Sequence, residues 1–326
     1  MVIPKESNSS KTCKIALGTV QFGQKYGISN LKGQPDEKTI KKIFDLATKR
    51  GVTILDTAPA YGMAEIRLGN ILGGSEQFEI ITKTCTLSSI EKVKSPSSSI
   101  NQIFEQSLTR LKIDQTFGLL VHLADDLLGP YGDDIWKTLE QVKASGHTKY
   151  IGASCYNVSE ARTISDRYPI DIVQLPLNIF DQSLISSGTL NLLSKRGVMV
   201  HARSVFLQGL LLMKPNSLPE GFEKAKPALK AFIKAAQNVE LSPLELSIQF
   251  VNSLKAIDQI VIGVENSSQL IEIFNAVGRV LPKTLQTEKL EIKDSSIINP
   301  SIWPPDNPKP SKFDFTVTKD ECSLNG

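Results

Sequence analysis

No Cys-x-x-Cys pair occurs in this chain: its four cysteines, Cys13, Cys85, Cys155 and Cys322, stand far apart. Their isolation argues against a zinc knuckle or a dithiol redox motif and makes free thiols of a reducing compartment the expectation. His, Cys, Asp and Glu nowhere cluster at ligand spacing, so no metal is expected. Long apolar runs are also missing. The segment Val205 to Met213 is interrupted by Gln208 and Gly209, well short of the roughly 20 apolar residues that span a bilayer. Met1 to Lys11 is polar and Ser-rich and lacks a signal-peptide core, which points to a cytoplasmic protein without a membrane partner. Lys and Arg form no dense block. The net charge of +3 comes from 37 basic and 34 acidic residues spread along the chain, so nucleic acid is not an expected partner.

What is present is a hydrophobic content of 40% over 326 residues, enough for one large core. Apolar runs recur at Lys14–Thr19, Val52–Thr57, Phe78–Thr84, Phe117–His122, Tyr150–Ser154, Ile170–Leu175, Val198–Arg203 and Ile257–Gly263. Between them lie stretches of helical period such as Val158–Tyr168 and Leu184–Arg196. Helix-start signals agree: Pro35–Asp36, Asn157 or Ser159, and Ser242–Pro243 with Glu245 three residues after the cap. Eight strands alternating with helices imply an α/β fold, a (β/α)8 TIM barrel. An open doubly wound sheet is the alternative, but no Gly-x-Gly-x-x-Gly turn follows any strand. The expected organisation is a flexible extension over residues 1–12, a barrel over 13–291 and a Pro-rich tail over 292–326.

Reactive groups of such barrels come from the C-terminal strand ends. The second strand runs into Asp56-Thr57-Ala58-Pro59-Ala60-Tyr61-Gly62, the third ends in Lys83, the fourth in His122 and the fifth in Ser154. Reducing a carbonyl needs a hydride at carbon and a proton at oxygen, and a tyrosine with a pKa near 10 donates reluctantly at neutral pH. A lysine beside Tyr61 is expected to lower that pKa, with Asp56 holding Lys83 and His122 polarising the carbonyl. His201, inside the seventh strand, reads as a hydrogen-bonded barrel residue and Cys85 as a packing thiol.

These segments, with Leu17-Gly18-Thr19 and Ile81-Thr82-Lys83, resemble the aldo-keto reductase superfamily. The resemblance implies that Asp56, Tyr61, Lys83 and His122 form the catalytic tetrad and that Tyr61 and His122 meet a small carbonyl substrate. It further implies a nicotinamide cofactor, NADP with NAD as a second choice, lying extended across the barrel mouth. Cofactor contacts are then expected from Gly18, Thr19, Asp56, Ser154, Cys155 and Gln174, from the segment Arg203, Ser204, Phe206, Gln208 and Gly209, and from Gly263, Val264, Glu265, Asn266 and Gln269. Three positions depart from the pattern: Cys155 stands where Asn is usual, Arg203 where an aromatic ring stacks on nicotinamide, and Gln269 where an arginine grips the 2′-phosphate. The Arg203 guanidinium can stack in the ring's place or face an acidic substrate. Trp303 in the tail is expected either to close over substrate or to anchor the tail. Two alternatives to a reductase are a cofactor-sensing regulatory subunit, the role this fold has in potassium-channel β subunits, and an isomerase or lyase without nicotinamide. The oligomeric state is left open by these residues.

Overall fold

Apolar β-branched runs separated by helical stretches close on themselves here because each strand is covered by the helix that follows it. The computed structural model describes residues 13–30, 32–86 and 96–303. The expected extension over 1–12, the tail beyond residue 303 and Cys322 lie outside the described residues. The strands are β1 (Ile15–Gly18), β2 (Ile54–Asp56), β3 (Glu79–Lys83), β4 (Thr116–Val121), β5 (Thr148–Ser154), β6 (Ile172–Pro176), β7 (Met199–Arg203) and β8 (Gln259–Gly263). All neighbours are parallel, and β8 returns to β1 through the register Ile15↔Ile260 to Gly18↔Gly263, closing the barrel.

The expected helix starts are used. Asp36 caps Glu37–Lys49 by accepting from the Thr39 amide, and Ile40, Ile43, Phe44 and Ala47 bury the spacing that one helical face requires. Asn157, not Ser159, caps Val158–Arg167, and Ser242 with Glu245 forms a reciprocal capping box before Pro243–Asn252. The helix expected over Leu184–Arg196 is instead two, Ser183–Ser186 and Thr189–Lys195. Gly188 between them has φ 74°, in the left-handed region that a continuous helix cannot contain.

Side chains alternate across each strand, and this alternation positions the polar mouth of the barrel. Ala16, Ile54, Ile81, Leu120 and Ile172 form a small apolar cluster of their own. Two residues further along the same strands stand Gly18, Asp56, Lys83, His122 and Gln174. The residues of opposite phase, such as Leu17, Leu55, Ile80, Leu119 and Val173, join the larger core shared with the helices.

The described part of the tail packs on the body of the protein. The Ile292 amide donates to Phe180 O at 2.8 Å. Trp303 is 2% exposed, meets Phe222 edge to face with ring centroids 4.8 Å apart, and donates Nε1–H to Ile297 O at 3.1 Å. Deleting so large a buried ring leaves a cavity. Trp303→Ala is therefore expected to cost about 3–5 kcal/mol, read as a lower urea midpoint at unchanged slope. A loss below about 1 kcal/mol, the level of an ordinary surface substitution, would mean that the tail is not part of the cooperative unit.

Candidate active site

Tyr61 is held by a backbone contact that glycine alone permits. Gly62 has φ 60°, and a Cβ there would stand 2.3 Å from Gly23 O, while a Cβ on Gly23 would stand 1.6 Å from Tyr61 O. The two glycines let the loop after β2 press directly on the segment after β1. Arg67 stitches the same two loops, donating Nη1–H to Phe22 O at 2.9 Å and to Pro35 O at 3.0 Å.

Behind Tyr61 lies a buried polar group. Lys83 Nζ donates to Asp56 Oδ1 at 2.8 Å and to Thr57 O at 2.9 Å, and the Asp56–Lys83 pair is almost wholly enclosed. Gln174 Nε2 donates to the second Asp56 oxygen at 2.7 Å, so both carboxylate oxygens are satisfied. The ammonium sits over the Tyr61 ring, 4.9 Å from its centroid, and His122 meets that ring edge on at 5.9 Å. The net shift of Tyr61 is opposite to the lowering that was expected. Enclosure pushes the phenol well above its ordinary value, the Asp56 charge adds to this, and Arg203 only partly opposes it. Lys83 is itself lowered by burial, against the pull of Asp56.

Burial, with Lys83 and Arg203 nearby, drives His122 down to about 3; burial of His201 drives it to about 4, opposed by Asp56 and Asp258. Nδ1 of each imidazole is enclosed without a partner. Below the ordinary value of 6.5 both histidines take up their protons far more readily in the unfolded chain. Stability is therefore expected to be fully present above about pH 6.5 and to fall as pH drops toward about 4. Urea midpoints across that window check it, and a flat profile would mean that the imidazoles titrate freely.

A cavity of about 340 Å³ opens over this group. Of the expected residues it is lined by Gly18, Thr19, Asp56, Tyr61, His122, Ser154 and Gln174, by Arg203, Ser204, Phe206, Gln208 and Gly209, and by Gly263, Val264, Glu265 and Gln269. Lys83 stands behind Asp56 rather than in the wall. Cys155 is not brought to the wall: its side chain is in the apolar core, where burial pushes the thiol up to about 12, and only its carbonyl faces Arg203. Asn266 is used as the cap of helix Ser267–Val277. Of the two alternatives for Trp303 the structure takes the anchor: its ring is seated on Phe222 and is absent from the lining.

Several wall residues were not anticipated, among them Tyr26, Gln21, Ser29, Tyr156 and Glu272. Tyr26 and Ser29 enter because the loop after β1 docks on the loop after β7: the Ile28 amide donates to Gln208 O at 3.1 Å. Ser204, Leu207 and Gln208 all have positive φ, and this contorted path turns the second loop over the barrel. Tyr156 follows β5 directly, and a Tyr two residues beyond Ser154 was the available signal for it. Among the described residues no group of His, Cys, Asp and Glu is arranged to hold a metal, and no helix is long and apolar enough to cross a membrane. Cys13, Cys85 and Cys155 are free thiols.

The sequence model of the Aldo/keto reductase family matches residues 14–292. Aldo-keto reductase YhdN of Bacillus subtilis (strain 168) is 27% identical over 181 residues, 53% of this chain and 53% of that protein, so the match spans about half the length of that relative. L-galactose dehydrogenase of Arabidopsis thaliana is 25% identical over 283 residues, covering 82% and 86% of the two chains. Among solved structures, a glycerol dehydrogenase from Gluconobacter oxydans matches with a TM-score of 0.69 at 21% identity, over 92% of this chain and 97% of that one. The holo form of an aldo-keto reductase from Bacillus halodurans matches at 0.68 and 22% identity, over 85% and 91%. At such identities the structural likeness speaks for the fold.

Proposed function

Since the chain belongs to the aldo/keto reductase family of oxidoreductases, we propose that it reduces the carbonyl of a small aldehyde, ketone or sugar-derived compound, with Tyr61 as proton donor. The observation that carries this reading is the convergence of Tyr61 and His122 on one cavity, with the enclosed Asp56–Lys83 pair directly behind. A nicotinamide dinucleotide, when bound, supplies the hydride. With its pKa raised, Tyr61 is protonated at neutral pH, the form a donor must have. Lys83, fixed by two acceptors, provides positive charge beside the phenolate left as the proton departs. Neutral His122 turns a ring nitrogen to the carbonyl oxygen and orients it.

The residues of the cavity wall offer a donor set for such a cofactor. Gln174 gives its Nε2 hydrogen to Asp56, which leaves Oε1 to accept from a carboxamide, and Ser154 beside it in register adds a hydroxyl. Ser204, Phe206, Gln208 and Gly209 would follow the pyrophosphate, with Gly263, Val264 and Glu265 at the adenosine end. Gln21 Oε1 and Thr57 Oγ1 are enclosed without partners. Cys155 and Asn266 have no part in this reading, because one faces the core and the other caps a helix.

Discrimination between NADPH and NADH is expected to be small. Gln269 Oε1 already accepts from the Glu265 amide at 2.7 Å, Glu265 and Glu272 line the wall, and Arg203 is the single Arg or Lys among the described lining residues. A 2′-phosphate thus meets neutral donors and carboxylates rather than a guanidinium fork. The two dissociation constants, from fluorescence titration, are expected to differ by no more than the roughly 1–3 kcal/mol of hydrogen bonds to a charged group. A preference for NADPH of about a thousandfold, roughly 4 kcal/mol, would mean that a cation such as Lys32, which acts on Glu265 from outside the lining, reaches the phosphate. The function as a whole is tested by titrating both reduced cofactors and then assaying a panel of carbonyls. No binding and no turnover would overturn it. The relatives above carry the names of reductases and dehydrogenases, so the regulatory-subunit alternative is not favoured.

A further inference from the structure

We propose that Arg203 selects substrates that carry a carboxylate close to the reacting carbonyl. The inference rests on the reading of the cavity as a carbonyl-reducing site and adds the substrate class.

Its basis is an unbalanced charge. Lys83 is neutralised by Asp56 at 2.8 Å, and His122 is uncharged at neutral pH. Arg203 remains. Its guanidinium is ionised at any working pH and has no ion-pair partner among the described residues. Apart from Asp56, which is paired with Lys83, the carboxylates in the cavity wall are Glu265 and Glu272, on the approach and body of helix Ser267–Val277. Arg203 instead acts on Tyr61, His122 and Lys83, while the cation that acts on Glu265 is Lys32. The free positive charge is therefore at the reacting end of the cavity.

The side chain is also oriented for a planar anion. Its Cζ lies 4.7 Å from the centroid of Tyr156, Nη2 donates to Cys155 O at 2.9 Å and Nη1 reaches Ser204 Oγ at 3.4 Å. These contacts hold the plane of the guanidinium while occupying two of its five N–H groups. Nε is enclosed with no acceptor, so a carboxylate in the cavity would meet the guanidinium through the remaining N–H groups of Nη1 and Nη2. Strand alternation puts Arg203 in the inward phase of β7, two residues beyond His201, as Lys83 stands two beyond Ile81. A charged donor set of this kind, left partly unsatisfied in a cavity, is what a carboxylate pairs with through parallel N–H···O bonds. Tyr26, whose hydroxyl is engaged by Gln208 and which feels the Arg203 charge, lines the same cavity.

The test compares two four-carbon aldehydes that differ by the carboxylate, succinic semialdehyde and butanal, in the wild-type chain and in Arg203→Gln and Arg203→Lys. Wild type is expected to favour succinic semialdehyde in kcat/KM by roughly tenfold or more. Arg203→Gln should raise KM for succinic semialdehyde by roughly 10- to 100-fold, the range for hydrogen bonds to a charged group. Because the Arg203 charge also acts on Tyr61 and His122, butanal reduction is expected to change too, but its kcat/KM should fall at least about tenfold less than that for succinic semialdehyde, and Arg203→Lys, which keeps the charge but not the fork, should lie between. Equal losses on both aldehydes would assign Arg203 to the chemistry of Tyr61. A loss of cofactor affinity alone would assign it to the dinucleotide phosphates. Either result overturns the proposal, as does a wild-type enzyme indifferent to the carboxylate. Should Arg203→Gln fail to fold, inhibition of butanal reduction by wild type decides: succinate should compete and neutral succinamide should not. Absence of turnover on every carbonyl would instead remove the reading of the site on which the inference stands.

Discussion

Tyr61→Phe is expected to lower the rate constant for carbonyl reduction by roughly two to four orders of magnitude, the usual range for loss of a general acid. The substitution isolates the hydroxyl. Phenylalanine keeps the ring that meets His122 edge on at 5.9 Å and that lies 4.9 Å under the Lys83 ammonium. The Gly23–Gly62 contact that sets the loop involves backbone only and is untouched. Dissociation constants for the reduced cofactors should therefore survive within about twofold, and single-turnover kinetics should place the loss in the chemical step. Near wild-type turnover on every carbonyl would remove Tyr61 from the mechanism.

The second large effect is expected at the buried pair. Asp56→Asn leaves the Lys83 ammonium enclosed with its counter-charge gone, and breaking such a pair costs roughly 3–5 kcal/mol of stability. Lys83→Met leaves the Asp56 carboxylate enclosed and should cost a similar amount. Joined in one chain, the two substitutions remove both charges at similar volume, and most of the stability is expected to return. Activity should not return with it. Either substitution combined with Tyr61→Phe should lower the rate little below Tyr61→Phe alone, because groups that act on one ionisation are not additive. Urea unfolding and steady-state rates on the same set of variants separate the two effects. Fully multiplicative rate losses would leave Asp56 and Lys83 with a supporting role in folding only.

Three residues of this group were readable from the chain because strand alternation is a local rule, whereas Tyr61 lies in the loop after β2, where that rule does not reach. An apolar residue in the barrel interior at Ile54, Ile81 or Leu120 places the residue two further on, Asp56, Lys83 or His122, in the same inward phase at the strand end. The helix caps at Asp36, Asn157 and Ser242 are local for the same reason: the side chain bonds an amide three residues away.

The sequence by itself thus determined the eight strands, their order of alternation with helices, and the polar set at the strand ends. Tertiary structure decided the rest. Tyr26 enters the cavity only because one loop docks on another through Ile28 and Gln208, which are far apart in the chain. Trp303 is withdrawn from the mouth by Phe222, and Gln174 is shared with Asp56 from the far side of the barrel. The sign of the Tyr61 shift was out of reach for a further reason. Position of a lysine in the sequence says nothing of its height above a ring, and enclosure of the phenol together with the Asp56 charge outweighs the opposing Arg203. Periodicity is carried by covalent neighbours and survives in a bare sequence, whereas burial and charge balance are sums over residues that only the closed barrel brings together.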